Sequence, residues 1–366
     1  MRAVTVWLLA VVAAWLWPAP VQAQRWPERS ITLIVGWSAG GTSDITARAL
    51  AREMEEYLGR PIQVTNVEGA LGSIGARRVA ASPPDGYTWF GGAAVHGTWR
   101  VSGQAAIGWE DFYPFLAAVQ PTTVYVRADS PYRDVRDLLE AVRARPGALR
   151  YGTPGPGSNG AIFAGLLLDA AGLADGAVHV PYGGGREAGR FLLAGEIQFI
   201  SVTMGDVSDW AAAGQIRPLA NLYETDVQWA GVTFPSVARY FPALVRYTPI
   251  NPYFGIYIPR AAPVEVLDRI ADAFVHAVQQ ERLKKMLVED RGFVLAPLLG
   301  QEADKVMSQI ESARSWSLFR LGIAPNSPER FGIPTIENWS WPPHDRARAA
   351  RPWPVSVEAR AERLAR

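Results

Sequence analysis

The sequence predicts an α/β protein organised as two lobes, each with a sheet flanked by helices. The chain has 366 residues, which is more than one hydrophobic core usually organises. Short strand-like runs alternate with helix-like runs along most of it, and this alternation favours parallel sheets covered by helices on both faces. With 49% hydrophobic and 19% charged residues, the composition is that of a folded protein.

The N-terminus has the layout of a secretory signal peptide. Arg2 precedes an uninterrupted apolar run over residues 4–17, and the helix-breaking Pro18 and Pro20 follow it. Small residues then lead to Ala23, where a signal peptidase would cleave. We therefore predict an exported protein that begins after Ala23. A membrane anchor is the alternative, but the apolar run is shorter than the roughly 20 residues that span a bilayer.

A strand–helix–strand unit opens the folded part of the chain. Residues 31–36 form a short apolar run rich in β-branched side chains, typical of a buried parallel strand. Apolar residues at helical spacing follow, with Thr42 or Ser43 as the N-cap and Gly59 as the stop signal. A second strand over Ile62–Asn66 completes a βαβ unit.

The same alternation continues beyond this unit. Strands are predicted over 87–91, 124–127, 149–152, 199–202 and 216–221, and helices over 75–81, 135–143, 161–171 and 263–287. From residue 327 onward the chain instead becomes rich in tryptophan, proline and arginine. We expect an extension that packs its tryptophans on the body and leaves its arginines in solvent. A docking tail of a sensing receptor is the alternative.

The bulk composition excludes several classes of function. A formal net charge of +1 gives no basis for nucleic acid or an anionic membrane surface as a partner. The chain has no cysteine, which excludes disulfides, thiolate metal sites and cysteine nucleophiles. We expect no cofactor and no metal site.

Two glycine-rich turns stand where strands give way to helices. The first is 38–42 (SAGGT) and the second is 155–159 (GPGSN). Ligands of open parallel sheets bind beyond the carboxyl ends of the strands. Successive backbone N–H groups at a helix N-terminus favour an anion such as a carboxylate. A tight connection without function is the alternative for each turn. Neither turn has the lysine of a phosphate-binding loop or the spacing of a dinucleotide fingerprint.

Three further residues are candidates for the same cleft. The Trp37 indole is placed to cover an apolar or aromatic ligand body, with a core tryptophan as the alternative. His96 follows a strand in a loop that could line the cleft, or is a structural histidine. Asp206 lies in a loop after a strand of the second lobe. It could pair with an ammonium group, or is a solvated loop carboxylate.

Residues 36–40 (GWSAG) also fit the G-x-S-x-G pattern of a serine hydrolase. Ser38 would then be the nucleophile, and this is our alternative function. It is disfavoured because Ser38 lies within the first strand–turn of the folded chain. None of the histidines, which are His96, His179, His276 and His344, has a flanking catalytic motif.

Several blocks of the chain resemble the Bug-type receptors, the substrate-binding proteins of tripartite tricarboxylate transporters. The resemblance runs in order from about Trp26 to Ala324. Its blocks are Trp26-Pro27, 31–36 (ITLIVG), 40–44 (GGTSD), 66–75 (NVEGALGSIG), 84–88 (PDGYT), 109–112 (WEDF), 151–158 (YGTPGPGS), 180–182 (VPY), 193–197 (LAGEI) and 254–259 (FGIYIP).

The resemblance implies a Venus-flytrap fold, a two-lobed periplasmic binding protein with two crossover strands, placed here near 125–127 and 253–258. Lobe 1 would comprise 24–126 and 254–324, lobe 2 would comprise 127–253, and 325–366 would be an extension. The implied protein is a monomeric, non-catalytic periplasmic receptor. It would hold a small carboxylate ligand between the glycine turns, partly through ordered water, and pass it to a membrane permease.

Carried over, the contacts of the first lobe fall on residues 38–42 with Asn66 nearby, and those of the second on Thr153, Gly157, Ser158 and Asn159. With the other candidates, the predicted ligand-binding residues are Trp37, Ser38, Ala39, Gly40, Gly41, Thr42, Asn66, His96, Thr153, Gly157, Ser158, Asn159, Thr203 and Asp206. The chain departs from the family in ways that leave the ligand open. The departing positions are 37–39, where prolines are common, Ala161 in place of a histidine, Gln198 in place of an acid, and Val202 and Thr203 where Asp or Asn is frequent.

Overall fold

Two mixed sheets organise the chain in a computed structural model that describes residues 26–342 and 357–364. The predicted signal peptide, His344 and Trp353 lie outside the described residues. The first sheet has the order β13–β4–β12–β3–β1–β2, and the second β7–β6–β8–β5–β9. The strands are β1 Ile31–Val35, β2 Ile62–Asn66, β3 Thr88–Ala93, β4 Phe112–Val119, β5 Thr122–Arg127, β6 Leu149–Thr153, β7 Ala177–Pro181, β8 Phe199–Thr203, β9 Ile216–Asn221, β10 Val227–Trp229, β11 Val232–Phe234, β12 Tyr253–Pro259 and β13 Val294–Leu298.

Each sheet has a parallel part and an antiparallel part. In the first sheet β1 runs parallel to β2 and β3, while β12 is antiparallel to β3 and β4. In the second sheet β6 runs parallel to β7 and β8, while β5 is antiparallel to β8 and β9. The helices are α1 Thr42–Leu58, α2 Ser73–Ala80, α3 Val135–Ala144, α4 Asn159–Ala170, α5 Gly185–Leu193, α6 Met204–Ala212, α7 Val264–Gln279, α8 Glu281–Lys284, α9 Gly300–Arg320 and α10 Val357–Leu364.

The chain passes from the first sheet to the second between β4 and β5, through Gln120 and Pro121. It returns between β9 and β12. Asn251 fastens the two crossings together, since its side chain accepts a hydrogen bond from the Thr122 N–H (2.8 Å) and donates one to the Leu222 carbonyl (2.7 Å). The boundary predicted after residue 126 falls inside β5, whose residues pair in the second sheet. We therefore propose that the lobes divide at Gln120–Pro121.

Helix α9 belongs to both lobes. Ile310 packs in the apolar core of the first sheet, whereas Ala313 and Leu318 pack in that of the second. Its buried residues also include several polar ones, among them Ser312 and Arg314. Because its residues pack in both cores, α9 ties the two lobes together.

The C-terminal extension packs along α9 and α7. The Trp316 indole N–H donates to the Ile333 carbonyl (3.0 Å), and that of Trp339 donates to the Ser308 hydroxyl (3.0 Å). Arg360 contradicts the expectation that the arginines of the extension lie in solvent. Arg360 is buried and donates to the carboxylates of Asp272 (2.9 Å) and Asp268 (2.5 Å), since burial of a guanidinium requires partners of opposite charge.

Within residues 26–342 and 357–364, no helix combines the length and the apolar character needed to cross a membrane. The helix predicted over 263–287 is shorter than expected. It ends at Gln279, because Gln280 has an extended backbone (φ −70°, ψ 129°) before the short α8 begins.

Candidate ligand-binding cleft

The loops that follow β1, β3, β6, β7 and β8 meet between the two sheets. They enclose an inner cavity of about 30 Å³, which is room for about one water molecule. Its walls come from both lobes. They are formed by Trp37, Ser38, Gly41, Thr42, Ser43, Leu71, Ala93, Val95, Pro154, Ser158, Asn159, Gly184, Gly185, Thr203, Asp206 and Phe254. The cavity lies at the carboxyl ends of the parallel strands, where the sequence places the cleft.

An outer chamber of about 220 Å³ adjoins this cavity. The two share Trp37, Leu71 and Pro154 as walls. Tyr182, Ala70, Gln104 and further glycines and prolines complete the outer chamber. The Trp37 ring packs against Phe90 (5.9 Å between centroids) and fills the space beside Gly92. The outer chamber therefore combines the Trp37 and Tyr182 rings with the Gln104 amide, whereas hydroxyl, amide and carboxylate side chains line the inner one.

The first glycine turn is already bonded to carboxylates of the protein. Asp206, from the other lobe, accepts a hydrogen bond from the Thr42 N–H (2.9 Å) and another from the Thr42 hydroxyl (2.6 Å). The Gly40 N–H donates to Asp44 (2.9 Å), and the Gly41 N–H donates to the Ser38 carbonyl (3.3 Å). The N–H groups predicted to hold a ligand carboxylate are thus paired within the protein.

Asp206 is only 6% exposed and lies where helix N-termini converge. It sits in the first turn of α6, its carboxylate is bonded to the first residue of α1, and a Cβ atom on Gly185 at the start of α5 would overlap it. The positive ends of these helices favour an anion there. Burial raises the pKa of Asp206, and the hydrogen bonds from Thr42 and the Thr203 backbone oppose that rise, as does the charge of Arg186.

Asp44 and Asn66 shape the first turn from behind. Burial tends to raise the pKa of Asp44, but hydrogen bonds from Arg48, the Gly40 N–H and Asn66 outweigh it and hold that pKa below its ordinary value. The Asn66 amide donates to the Asp44 carboxylate (2.9 Å) and to the Trp37 carbonyl (2.9 Å). Asn66 therefore positions the turn, and it is not among the residues that line either chamber.

The second glycine turn is bonded mainly within its own lobe. The Ser158 hydroxyl donates to the Gly155 carbonyl (2.7 Å) and accepts from the Ala161 N–H (3.1 Å), which caps α4. The Asn159 amide donates to the hydroxyls of Thr122 (2.7 Å) and Thr203 (3.3 Å). Ser158 and Asn159 thus line the inner cavity while their side chains hold the turn in shape.

Thr153 and Arg314 support this turn from behind. The Thr153 hydroxyl lies 2.7 Å from the His179 Nε2, and a Cβ atom on Gly157 would overlap Leu71 of the other lobe. Arg314 of α9 is fully buried and donates from Nη2 to the Gly157 carbonyl (3.2 Å). Burial lowers the pKa of Arg314 to about 9, which leaves it a cation at neutral pH.

His96 does not line the cleft. It is fully buried among aromatic rings, with Tyr257 at 4.1 Å and Trp99 at 4.7 Å between centroids. Burial, together with the charge of Arg314, lowers the pKa of His96 to about 3, so its imidazole is neutral. The loop after β3 turns inward at this position, which a sequence pattern does not specify.

The structure brings together eight of the predicted residues on the inner cavity. They are Trp37, Ser38, Gly41, Thr42, Ser158, Asn159, Thr203 and Asp206. Ala39 and Gly40 are exposed on the outer side of the turn. The sequence prediction missed a third glycine turn, Gly183 to Gly185 after β7, which lines both chambers. Its signal was the run of glycines between a strand and a helix.

Within the part of the chain that the structure describes, no histidine is placed as the base that a serine hydrolase would require at Ser38. Its side chain faces Gly184 across the cleft. Of the histidines within the described residues, His96 is enclosed in the core, His179 pairs with Thr153 and His276 packs on Tyr57. None of these is hydrogen-bonded to Ser38, so the G-x-S-x-G pattern serves as a turn.

Comparison with known proteins identifies relatives along most of the chain. The model of the tripartite tricarboxylate transporter family receptor matches residues 46–318. A UPF0065 protein of Pseudomonas sp. (strain P51) is 30% identical over 315 residues, covering 81% of this chain and 91% of that protein. Bordetella pertussis BugT is 30% identical over 279 residues, covering 71% and 81%. The structure of R. palustris Rpa4515 with adipate is 27% identical, with a TM-score of 0.73, and covers 82% of this chain and 99% of that one.

Proposed function

Since the chain belongs to the tripartite tricarboxylate transporter receptor family, we propose that it is a solute-binding receptor that captures a small carboxylate between its lobes. One observation carries this proposal above the others. The inner cavity already holds a carboxylate, that of Asp206, on the N-terminus of α1. The groups that line it are therefore suited to a carboxylate, and the relative Rpa4515 is known with adipate.

Capture proceeds by movement of the lobes. A cavity of about 30 Å³ is too small for an organic acid, so the lobes separate to admit one and close around it. The crossings at Gln120–Pro121 and near Asn251 are the places where the backbone can bend. A ligand that contacts both lobes stabilises the closed state over the open one.

The role of the protein follows from its family. Family members are periplasmic receptors that work with the permeases of tripartite transporters. For this chain we propose cleavage after Ala23, a monomeric periplasmic receptor without catalytic activity or cofactor, and delivery of the ligand to such a permease. N-terminal sequencing of a periplasmic extract tests the first of these, because the mature protein would begin at Gln24.

A thermal-shift screen of organic acids on the mature protein tests the central proposal. A ligand at 100 times its dissociation constant stabilises the folded state by about 2.7 kcal/mol, which is a shift of several degrees. We expect a subset of carboxylates to raise the melting temperature, with neutral amides and organic cations of the same size giving no shift. A panel in which no carboxylate stabilises the protein contradicts the proposal.

A further inference from the structure

The two chambers of the cleft contain a single charged side chain among their lining residues, and it is an acid. Of the residues that line the inner cavity and the outer chamber, all within the described part of the chain, only Asp206 is ionisable to a full charge near neutral pH. Lysine and arginine do not contribute to either wall. A ligand therefore meets hydrogen-bond donors and apolar surface, with one acidic side chain.

Two further carboxylates stand beside the third glycine turn, at Gly183. The Glu187 carboxylate accepts a hydrogen bond from the Gly183 N–H (2.7 Å), and Glu68 of the other lobe approaches the same glycine. A cation beside this turn, Arg186, donates to the Asp206 backbone carbonyl (3.1 Å). Arg186 donates to the Asp209 carboxylate (2.5 Å and 2.9 Å) and lies over the Trp210 ring (3.9 Å).

Asp206 also occupies a definite place on the first turn. Its Oδ1 takes both the N–H and the hydroxyl of Thr42, which begins α1. A Cβ atom on Gly41 would stand 3.5 Å from this oxygen, so the carboxylate fills the space in front of the turn. A ligand carboxylate on the same N–H group would lie against Asp206, and two carboxylates that close cannot both be ionised without a large cost.

The second turn has no such occupant. Its backing group is the buried cation Arg314, which contacts the Gly157 carbonyl. We place the single ligand carboxylate on that side of the cleft. The outer chamber of about 220 Å³, with Trp37 and Tyr182 in its wall, suits an apolar or aromatic body.

We infer that Asp206 is a specificity-determining residue, which takes the place of one ligand carboxylate and makes this receptor select acids with a single carboxylate and an apolar body over dicarboxylates. This inference rests on the proposed function and deepens it by naming the class of ligand. A direct contact of Asp206 with a ligand ammonium is the competing role, and the experiment below distinguishes the two.

The test uses three six-carbon probes that differ only at one end: hexanoate, adipate and 6-aminohexanoate, with benzoate and isophthalate as an aromatic pair. Dissociation constants are measured by calorimetry for the full mature chain and for D206S and D206N. D206S vacates the site, whereas D206N keeps its shape and removes its charge. D209N is the matched control, because Asp209 lies on the same helix and is bonded to Arg186 outside the cleft.

We expect the wild type and D209N to bind each monocarboxylate at least tenfold more tightly than its dicarboxylate partner. D206S should improve dicarboxylate binding at least tenfold and change monocarboxylate binding less than threefold, with D206N between. If D206S does not fold, the dicarboxylate affinities of the wild type and D206N decide the matter, and D206N should bind dicarboxylates more tightly than the wild type. The inference is overturned if the wild type binds adipate or isophthalate as tightly as its partner, or if 6-aminohexanoate binds best and loses affinity in D206N. If no acid of this set or of the wider panel binds the wild type, the proposed function fails and the inference with it.

Discussion

The two glycine turns look alike in the sequence, yet they differ in electrostatics. The first turn is bonded to two acids, Asp44 from its own helix and Asp206 from across the cleft. The second is bonded by its own Ser158 hydroxyl and is backed by the buried cation Arg314. The comparison teaches that a glycine-rich strand–helix turn specifies a place for an anion but not whose anion occupies it. We therefore expect the ligand carboxylate on the side of the second turn.

The glycines of the two turns also serve different purposes. Gly40 (φ +77°) and Gly155 (φ +118°) adopt left-handed conformations that favour glycine. Gly41 has an ordinary extended backbone (φ −81°), which does not require glycine. Its lack of a side chain instead leaves room in front of the turn, where the Asp206 carboxylate lies. A substitution at Gly41 thus tests the space without straining the backbone.

The largest effect is expected at Gly41. A Cβ atom there makes ordinary contacts, 3.4 Å from the Ser38 carbonyl and 3.5 Å from Asp206, so G41A should weaken carboxylate binding only about tenfold, or about 1.4 kcal/mol. The methyl groups of G41V extend into a cavity of about 30 Å³, and binding should fall more than 100-fold, or about 2.7 kcal/mol. Calorimetry measures the affinity, and circular dichroism checks the fold. Undiminished affinity in G41V would remove the first turn from the site.

A smaller effect is expected at Arg314, behind the second turn. R314M removes the buried cation and should weaken carboxylate binding about tenfold, or about 1.4 kcal/mol. R314K keeps the charge and should stay within about threefold of the wild type. Stability should change less than binding, because replacing a sparsely bonded buried charge with an apolar side chain is often neutral. Equal affinities in R314M and R314K would show that Arg314 only fills space.

The smallest effect on binding is expected at Ser158. Its hydroxyl already makes two hydrogen bonds within the protein, so S158A should lower the free energy of unfolding by about 1 kcal/mol through the lost helix cap. Affinity should change less than threefold. Urea unfolding and calorimetry on the same preparation separate the two. A tenfold loss of affinity at unchanged stability would instead make Ser158 a direct ligand contact.

The sequence specifies most of the first βαβ unit because its patterns are local. The amphipathic spacing of α1, the stop at Gly59 and the strand Ile62–Asn66 all depend on neighbours in the chain, and the structure agrees with them. Helix α9 is not predicted, because it lies between two cores and buries serines and Arg314 as well as apolar residues. A helix that is buried all round has no apolar stripe to detect.

In the candidate site, too, the features set by local sequence could be predicted and those set by long-range contacts could not. Both glycine turns could be located from their place between strand and helix, and eight predicted residues line the inner cavity. The bond between Asp206 and Thr42 joins residues 164 positions apart and depends on how the lobes close. No local pattern contains that information. The burial of His96, for which the sequence leaves a cleft position and a structural role open, depends in the same way on the packing of Tyr257 and Trp99 around it.

The most direct test of the account is a comparison of one acid with its own carboxamide. The two have the same shape and differ in the negative charge that the cleft is argued to recognise. Calorimetric titration of the mature protein with the best acid of the panel, and then with its amide, should give affinities at least 100-fold apart in favour of the acid. Equal binding of the amide would contradict carboxylate recognition as the function of this cleft.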